Sequence, residues 1–522
     1  MSSALLIFLA VLLTGGILSG APVAFVLLGA PVLTALLGTA LGHFDMAFLA
    51  AFPSRAFGVL SNPVFMALPL FVLMGGLLER SDMARRMMLA AGALFGERRG
   101  GLAYAVIIVG ALLAASTGVI GATIFMLGLI ALPAMSGAGY SPRLSSGVIC
   151  AAGSLGQIIP PSILLILLTD QISNAYQAGQ RAAGSFSPEP VSVGAVFAGA
   201  ILPGLVLVLL YLAYAALNAW LRPETCPPVR RDTLLQPQES GEATLSRSAA
   251  LKPLLLPLIL ILLVLGSILG GVATTTESAA LGAVGALIMV ALDRGGQPRW
   301  QRILLQATLP AALIVVLLKF HGGHGIHPAL FYPGAAAFGL LCAGTLLAVW
   351  QELRRGDLLA VSRDTARMVT MMILIVLGAA MLSLVFRGLD GDRMVEDFLH
   401  GLPGETAVAL LAVMAIIFVL GFIIEYVEII FIVVPVAGPP LMAAGVDPVW
   451  FAILISMNLQ MSFLTPPFGY ALFYFRKVAP PDLKTSAIYA GITPFILLQM
   501  AALGLVALFP ALATTLPKLL YG

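Results

Sequence analysis

The sequence predicts an all-α integral membrane protein with about twelve transmembrane helices and two re-entrant helical hairpins in an inverted repeat. Three observations predict it. The 522 residues are 60% apolar and only 10% charged, with mean hydropathy +1.04, whereas a soluble domain is about 45–50% apolar and about 25% charged. A soluble fold cannot hide so much apolar surface behind so few charges, which excludes a soluble enzyme. Most of the 27 basic residues gather in a few loops. Adjacent prolines recur at matching places in the two halves. The net charge of +3 is too weak to point to nucleic acid, and the lipid bilayer is the expected surroundings. Cys150, Cys226 and Cys342 show no C-x-x-C spacing, so neither a disulfide framework nor a zinc site is expected.

Taken in order, apolar runs long enough to cross fall at about 4–20, 22–41, 63–78, 145–170, 193–221, 253–272, 279–293, 303–319, 328–350, 368–387, 449–475 and 486–512. The first follows no basic segment and is read as a retained span rather than a cleaved signal. Two further apolar stretches, 101–135 and 406–435, are interrupted midway by small or acidic residues and read as hairpins. Orientation follows from Lys and Arg, which cluster in 79–100, 222–252, 294–302, 351–367 and 476–484. All these loops fall on the cytoplasmic side only if both interrupted stretches are hairpins. The chain therefore divides into an N-terminal membrane half (1–221), a Pro- and Arg-containing cytoplasmic linker (222–252), and a C-terminal half (253–522) with an extra helix pair at 303–350. Residues 171–192 read as a polar loop on the far side.

The halves echo each other. Gly139-Tyr-Ser-Pro142 precedes Pro160-Pro161, and Gly445-Val-Asp-Pro448 precedes Pro466-Pro467 at the same spacing. The offset that carries Pro142 onto Pro448 also maps Pro133 onto Pro439 and places the break of the first hairpin just before Glu425. Hairpins opening to opposite sides make the repeat inverted, an arrangement that places substrate at the repeat interface. A helix broken inside a bilayer exposes backbone groups that cost several kcal/mol each unless an ion, water or ligand meets them. Half-helix carbonyls suit Na⁺, and N-terminal N–H groups suit a carboxylate.

Four breaks carry the chemistry. Ala114–Gly121 forms the first hairpin tip, with Ser116 and Thr117. Gly153–Ser162 holds Gln157, Ser162 and the first proline pair, which is expected to leave the Gly156 and Gln157 carbonyls without partners. Gly421–Glu428 forms the second tip, with Glu425 and Glu428 on one helical face. Asn458–Gly469 holds Asn458, Ser462, Thr465 and the second proline pair. Ser116, Thr117, Gln157, Ser162, Asn458 and Thr465 are the candidate substrate ligands. Thr274–Glu277 reads as a helix cap at Thr275 or Thr276 as readily as a transport element. His321, His324 and His327 read as a loop, and Arg387 as closing a span near the interface. No Gly-Lys phosphate loop, metalloprotease motif or nucleophile–base pair is visible, so neither ATP-driven transport by that route nor an enzyme is expected, and no cofactor is implied.

The segments PLFVLMGGLLERSDMARR, AASTGVIGATIFMLGLIALPAM, GYSPRLSSGVICAAGSLGQIIPPSI, GVATTTESAALGAVGAL, GFIIEYVEIIFIVVPV and FLTPPFG, in this order, resemble the large membrane subunit of tripartite ATP-independent periplasmic (TRAP) transporters. The resemblance covers most of 1–220, 253–293 and 368–512. It implies a bacterial inner-membrane, Na⁺-driven importer of small organic acids with a scaffold and an elevator-like transport domain. It implies two partners, a periplasmic substrate-binding protein and a small four-helix membrane subunit. It also implies Na⁺ sites at the hairpin tips: Thr117, Gly118 and Val119 with Gly153, Gly156 and Pro161, and Gly421 and Glu425 with Ser462, Thr465 and Pro467. This sequence departs from the family at Thr117-Gly118-Val119, where Ser-Gly-Ser is frequent, and at Glu425, where Asp is common. Glu425 leaves H⁺ as an alternative coupling ion. A stand-alone Na⁺- or H⁺-coupled carboxylate carrier is the alternative reading.

Overall fold

The computed structural model describes residues 2–118, 120–185, 187–229, 247–293, 297–321, 328–401, 405–466 and 469–521. Among them every long element is an α-helix. The first group is α1 (Ser2–Leu18), α2 (Val23–Ala40), α3 (Ala47–Ala50), α4 (Phe52–Leu60), α5 (Pro63–Arg80) and α6 (Met83–Phe95). The first hairpin is α7 (Gly101–Thr117) and α8 (Ile120–Gly137), followed by α9 (Pro142–Ser154), α10 (Ile163–Ala182) and α11 (Val193–Leu221). Then come α12 (Arg247–Leu269), α13 (Thr275–Asp293), α14 (Arg299–His321), α15 (Pro328–Arg355), α16 (Asp357–Gly388) and α17 (Gly391–His400). The second hairpin is α18 (Glu405–Leu420) and α19 (Tyr426–Ala443), followed by α20 (Pro448–Leu464), α21 (Tyr470–Val478), α22 (Thr485–Leu508) and α23 (Ala511–Tyr521). Nine described helices are long and apolar enough to cross a membrane.

Both stretches expected as hairpins are helix–break–helix. The starts of α8 and α9, Ile120 and Pro142, recur one repeat later as the starts of α19 and α20, Tyr426 and Pro448. α8 packs on α9 and α21, and its counterpart α19 packs on α10 and borders α18. The bases of the hairpins lie at opposite ends of α11. Near its C-terminus, a Cβ at Gly100 would lie 3.1 Å from Ala219. The Gly100 N–H donates to Cys226 (3.0 Å), Ser141 N–H to Thr225 (2.9 Å), and Val229 N–H to Gly96 (2.8 Å). Near its N-terminus, a Cβ at Gly199 would lie 2.6 Å from Val449, beside which Trp450 donates its indole N–H to Val506 (2.8 Å). The span from 199 to 219 is about 30 Å at about 1.5 Å per residue, the thickness of a bilayer's hydrocarbon core.

α5, α13 and α16 brace this bundle. Thr274 is the N-cap of α13: its hydroxyl accepts from Glu277 N–H (3.3 Å), while the Glu277 carboxylate accepts from Thr274 N–H (2.8 Å), a reciprocal capping box. The sequence expectation places the cap one or two residues later. The carboxylate can reach back to a residue's N–H only from the third helical position, which selects Thr274. Thr276 donates to the Pro63 carbonyl (3.0 Å), tying α13 to α5. Arg80–Asp364 (2.5 Å) and Arg86–Asp293 (2.6 Å) join the basic ends of α5, α6, α13 and α16. In the extra pair, α14 and α15, the Gln351 amide bonds both Gln297 (3.1 Å) and Gln301 (3.0 Å).

Other boundaries also differ from expectation. Residues 171–182, expected in a loop, continue α10, whose apolar face there packs on α19. α19 runs to Ala443 through Pro435, Pro439 and Pro440. Gly179 lets α10 approach the backbone at Pro439, where a Cβ would meet the carbonyl at 2.5 Å. Within the expected linker, 222–229 is pinned by the bonds above and Cys226 is fully buried. Residues 230–246 of that linker, His324 and His327 lie outside the described residues.

Candidate functional site

The first break follows from its prolines. α9 ends at Ser154, one tight turn covers Leu155–Gln157, and the chain extends through a cis Pro160–Pro161 bond to Ser162 before α10 begins. The Leu155 carbonyl accepts from both Ile158 and Ile159 N–H (3.1 Å each). The Gln157 carbonyl, expected to lack a partner, accepts from the hydroxyls of Ser162 (3.0 Å) and Ser456 (3.2 Å). Hydroxyls from both halves of the chain thus replace the amides that the prolines remove. The unpaired group is instead the Gln157 side chain. It is 1% exposed, and neither its nitrogen nor its oxygen has a hydrogen-bond partner among the described residues. A buried amide without partners is a rarity that asks for a ligand, an ion or a water.

The first hairpin tip closes over this break. Gly118 ends α7 in the left-handed region (φ +61°), with its N–H on Ala114 (3.1 Å). A Cβ there would lie 3.1 Å from the Ile163 side chain and 3.3 Å from Ile163 N, so only glycine fits on both counts. A Cβ on Gly156 would stand 3.3 Å from the Ala114 carbonyl oxygen, and one on Gly153 would lie 3.1 Å from the backbone of Ile124 in α8. The C-terminus of α7 thereby meets the N-terminus of α10. The first suits a cation and the second an anion. Gly118, Gly153 and Gly156 are brought together as expected, with Pro161 buried beside them. Val119 and the side chains of Ser116 and Thr117 lie outside the described residues.

The second hairpin and second break meet in the same way. Gly421 lies directly against Ser462: a Cβ at 421 would overlap Ser462 Oγ and stand 2.8 Å from its Cβ. Ser462 and Thr465 turn their hydroxyls onto Leu459 (2.9 Å) and Met461 (2.8 Å) of their own helix. Asn458 donates to the Met414 carbonyl of α18 (2.7 Å), so its amide nitrogen holds the hairpin limb. Glu425 precedes α19 as its N-cap and lies close to Tyr470, whose hydroxyl is 3.1 Å from that of Tyr474. Glu428 is 2% exposed, and one of its carboxylate oxygens has no hydrogen-bond partner among the described residues. Pro467 lies outside the described residues.

A polar core joins the two breaks. The Gln460 amide donates to Ser154 (3.2 Å), the residue one repeat earlier in the chain, and Gln499 donates to Ser154 (3.3 Å) and Tyr211 (2.8 Å). Sequence reasoning alone misses Ser154, Ser456, Gln460, Gln499 and Tyr470. The repeat offset, which pairs Ser154 with Gln460, is a signal that could have found two of them.

With this geometry in place, comparison with known proteins decides the family. The profile of the tripartite ATP-independent periplasmic transporter, DctM component, matches residues 6–319 and 292–512. The chain belongs to this family. This TRAP large permease is a multi-pass membrane protein, 26% identical to the C4-dicarboxylate TRAP transporter large permease of Rhodobacter capsulatus, over 87% of each chain. It is 23% identical to the sialic acid TRAP transporter large permease of Vibrio cholerae, over 97% of each. The solved YdaH transporter of Alcanivorax borkumensis shares the fold of this TRAP permease at 16% identity, with TM-score 0.54, over 90% of this chain and 91% of that one.

Proposed function

We propose that this TRAP permease imports a small organic anion of the carboxylate class across the bacterial inner membrane, driven by Na⁺. A periplasmic binding protein delivers the anion, and a small four-helix membrane subunit braces the permease. The observation that carries the reading is the buried, unpartnered Gln157 amide where the C-terminus of α7 meets the N-terminus of α10. Na⁺ bound against the α7 carbonyls and a carboxylate against the α10 N–H groups would each satisfy a broken helix end. The Gly421–Ser462 contact supports an equivalent Na⁺ position in the second half. The hairpin bases, about 30 Å apart along α11, support opposite membrane sides and an inverted repeat. The hairpin bundle packed against α5, α13 and α16 supports a moving domain on a scaffold.

A second reading, H⁺ coupling, is favoured by the cluster of Glu425 with Tyr470 and Tyr474, which places a proton acceptor close to two mutually bonded hydroxyls. Uptake into proteoliposomes carrying the permease, its small subunit and the binding protein separates the readings. An inward Na⁺ gradient should drive uptake at symmetric pH. Uptake driven only by a pH gradient would replace Na⁺ with H⁺, and robust uptake by the chain alone would favour a stand-alone carrier.

A further inference from the structure

A cavity of about 390 Å³ lies away from both breaks, between α4, α5 and α16 on one wall and α10 and α19 on the other. Its polar lining comprises Arg55, Arg387, Asn62, Asp170, Gln171 and Asn174. Arg387 is paired, its Nε 3.1 Å from Asp392. Arg55 lies within Coulombic reach of Arg387 and Asp392 yet makes no ion pair among the described residues. Asp170 accepts from the amides of Asn62 (2.7 Å), Gln171 (2.9 Å) and Asn174 (3.5 Å), which fills three of its about four acceptor positions. The Asn62 oxygen meanwhile caps α5 through Val64 N–H (2.9 Å), so the positive end of α5 also borders the cavity.

The position matters as much as the lining. Asp170 and Asn174 lie about 10 and 17 Å along α10 from the first break, at about 1.5 Å per residue. The far ends of α5 and α16 meet at Arg80–Asp364 among the basic loops. By charge asymmetry those loops are cytoplasmic, so the cavity is on the periplasmic side, where α10 leads inward to the break.

We propose that this cavity is a receiving site for a carboxylate, occupied before the anion reaches the Gln157 break. The site rests on the transport reading above. The carboxylate sits on the unpaired Arg55 guanidinium, which offers a planar pair of donors. The open acceptor position of Asp170 takes a hydroxyl or amine of the same ligand. A second carboxylate at that end would stand against the Asp170 carboxylate, so the site suits a hydroxy-monocarboxylate better than a dicarboxylate.

The test is thiol labelling at Ser383→Cys, with Ala380→Cys as a second lining position. It uses the full chain carrying Cys342→Ser, since Cys150 and Cys226 are buried. The probes are an anionic sulfonatoethyl and a cationic trimethylammonioethyl methanethiosulfonate. A focusing cationic cavity should favour the anionic reagent, with a rate ratio that falls about tenfold in Arg55→Gln and is largely kept in Arg55→Lys. Sodium gluconate should slow the anionic reagent more than sodium chloride at equal ionic strength. Equal rates for both reagents, a ratio unchanged by Arg55→Gln, no protection beyond that of chloride, or thiols closed to both reagents at both positions would each overturn the site. Labelling needs neither an ion gradient nor a binding protein. Loss of the anion preference with Na⁺-driven uptake intact removes only the cavity, whereas a preserved preference with uptake driven by neither gradient removes the transport reading.

Discussion

Replacing Gln157 by Leu separates a functional site from a structural one, because the two readings predict opposite effects on stability. The side chain is 1% exposed and carries two polar atoms without partners. An unsatisfied buried donor or acceptor costs about 1–3 kcal/mol, so an apolar residue of similar size removes a gross penalty of about 2–6 kcal/mol. Imperfect packing of the branched side chain returns up to about 1.5 kcal/mol. Gln157→Leu should therefore raise the apparent melting temperature of the purified, substrate-free permease. The same change removes the unpartnered side-chain amide where α7 meets α10, so transport should fall. Sites held in place for function are often less stable than they could be. The assay pairs a thermal-unfolding scan in detergent, without substrate, with initial uptake rates in proteoliposomes at saturating binding protein. Expected are a higher melting temperature, a rate at least tenfold lower, and unchanged affinity of the binding protein for its ligand. A variant that melts lower and transports normally would show that Gln157 is a packing residue and refute the reasoning.

Gly421→Ala should destabilise the protein by about 1–3 kcal/mol through overpacking, because the added methyl overlaps Ser462; Ser462→Gly in the same chain should recover part of the loss in a thermal-unfolding comparison. Thr274→Val removes the hydroxyl half of the α13 capping box and should lower stability by about 1 kcal/mol while leaving the Na⁺ concentration for half-maximal uptake unchanged; a shifted Na⁺ dependence would reassign this segment to transport. Single cysteines at Ser187 and Glu224, both exposed, should react with membrane-impermeant reagents from the periplasmic and cytoplasmic sides respectively, and labelling of both from one side would refute the proposed inverted repeat. Asn458→Leu, which removes the side-chain bond to the Met414 carbonyl of α18, should cost about 0.5–1.5 kcal/mol and show as faster proteolysis within the second hairpin.

What the sequence determined by itself is what is written locally or by composition. The shortage of charge made the chain a membrane protein, because no aqueous fold can cover that much apolar surface. Pro160-Pro161 and Pro466-Pro467 marked the stretches where the chain leaves one helix before the next begins, because proline lacks the N–H that would continue the ladder, while Pro439-Pro440 stays inside α19. The recurrence of the Gly-x-x-Pro and Pro-Pro pattern marked hairpins whose second limbs start where the offset says. Only the tertiary structure decided which faces meet. No local signal in 153–162 reveals that Ser456, in the other half of the chain, supplies a hydroxyl that satisfies the Gln157 carbonyl, and so moves the unmet need from backbone to side chain. The helical extent of 171–182 depended on α19 lying alongside, since a polar stretch folds as helix only where its apolar face finds a partner. Arg55 and Arg387, one in each half of the chain, share a cavity because α4 and α16 converge at one end of the bundle. Proline and periodicity act along the chain, while pairing across it depends on the shape and burial of surfaces that exist only once the helices have packed.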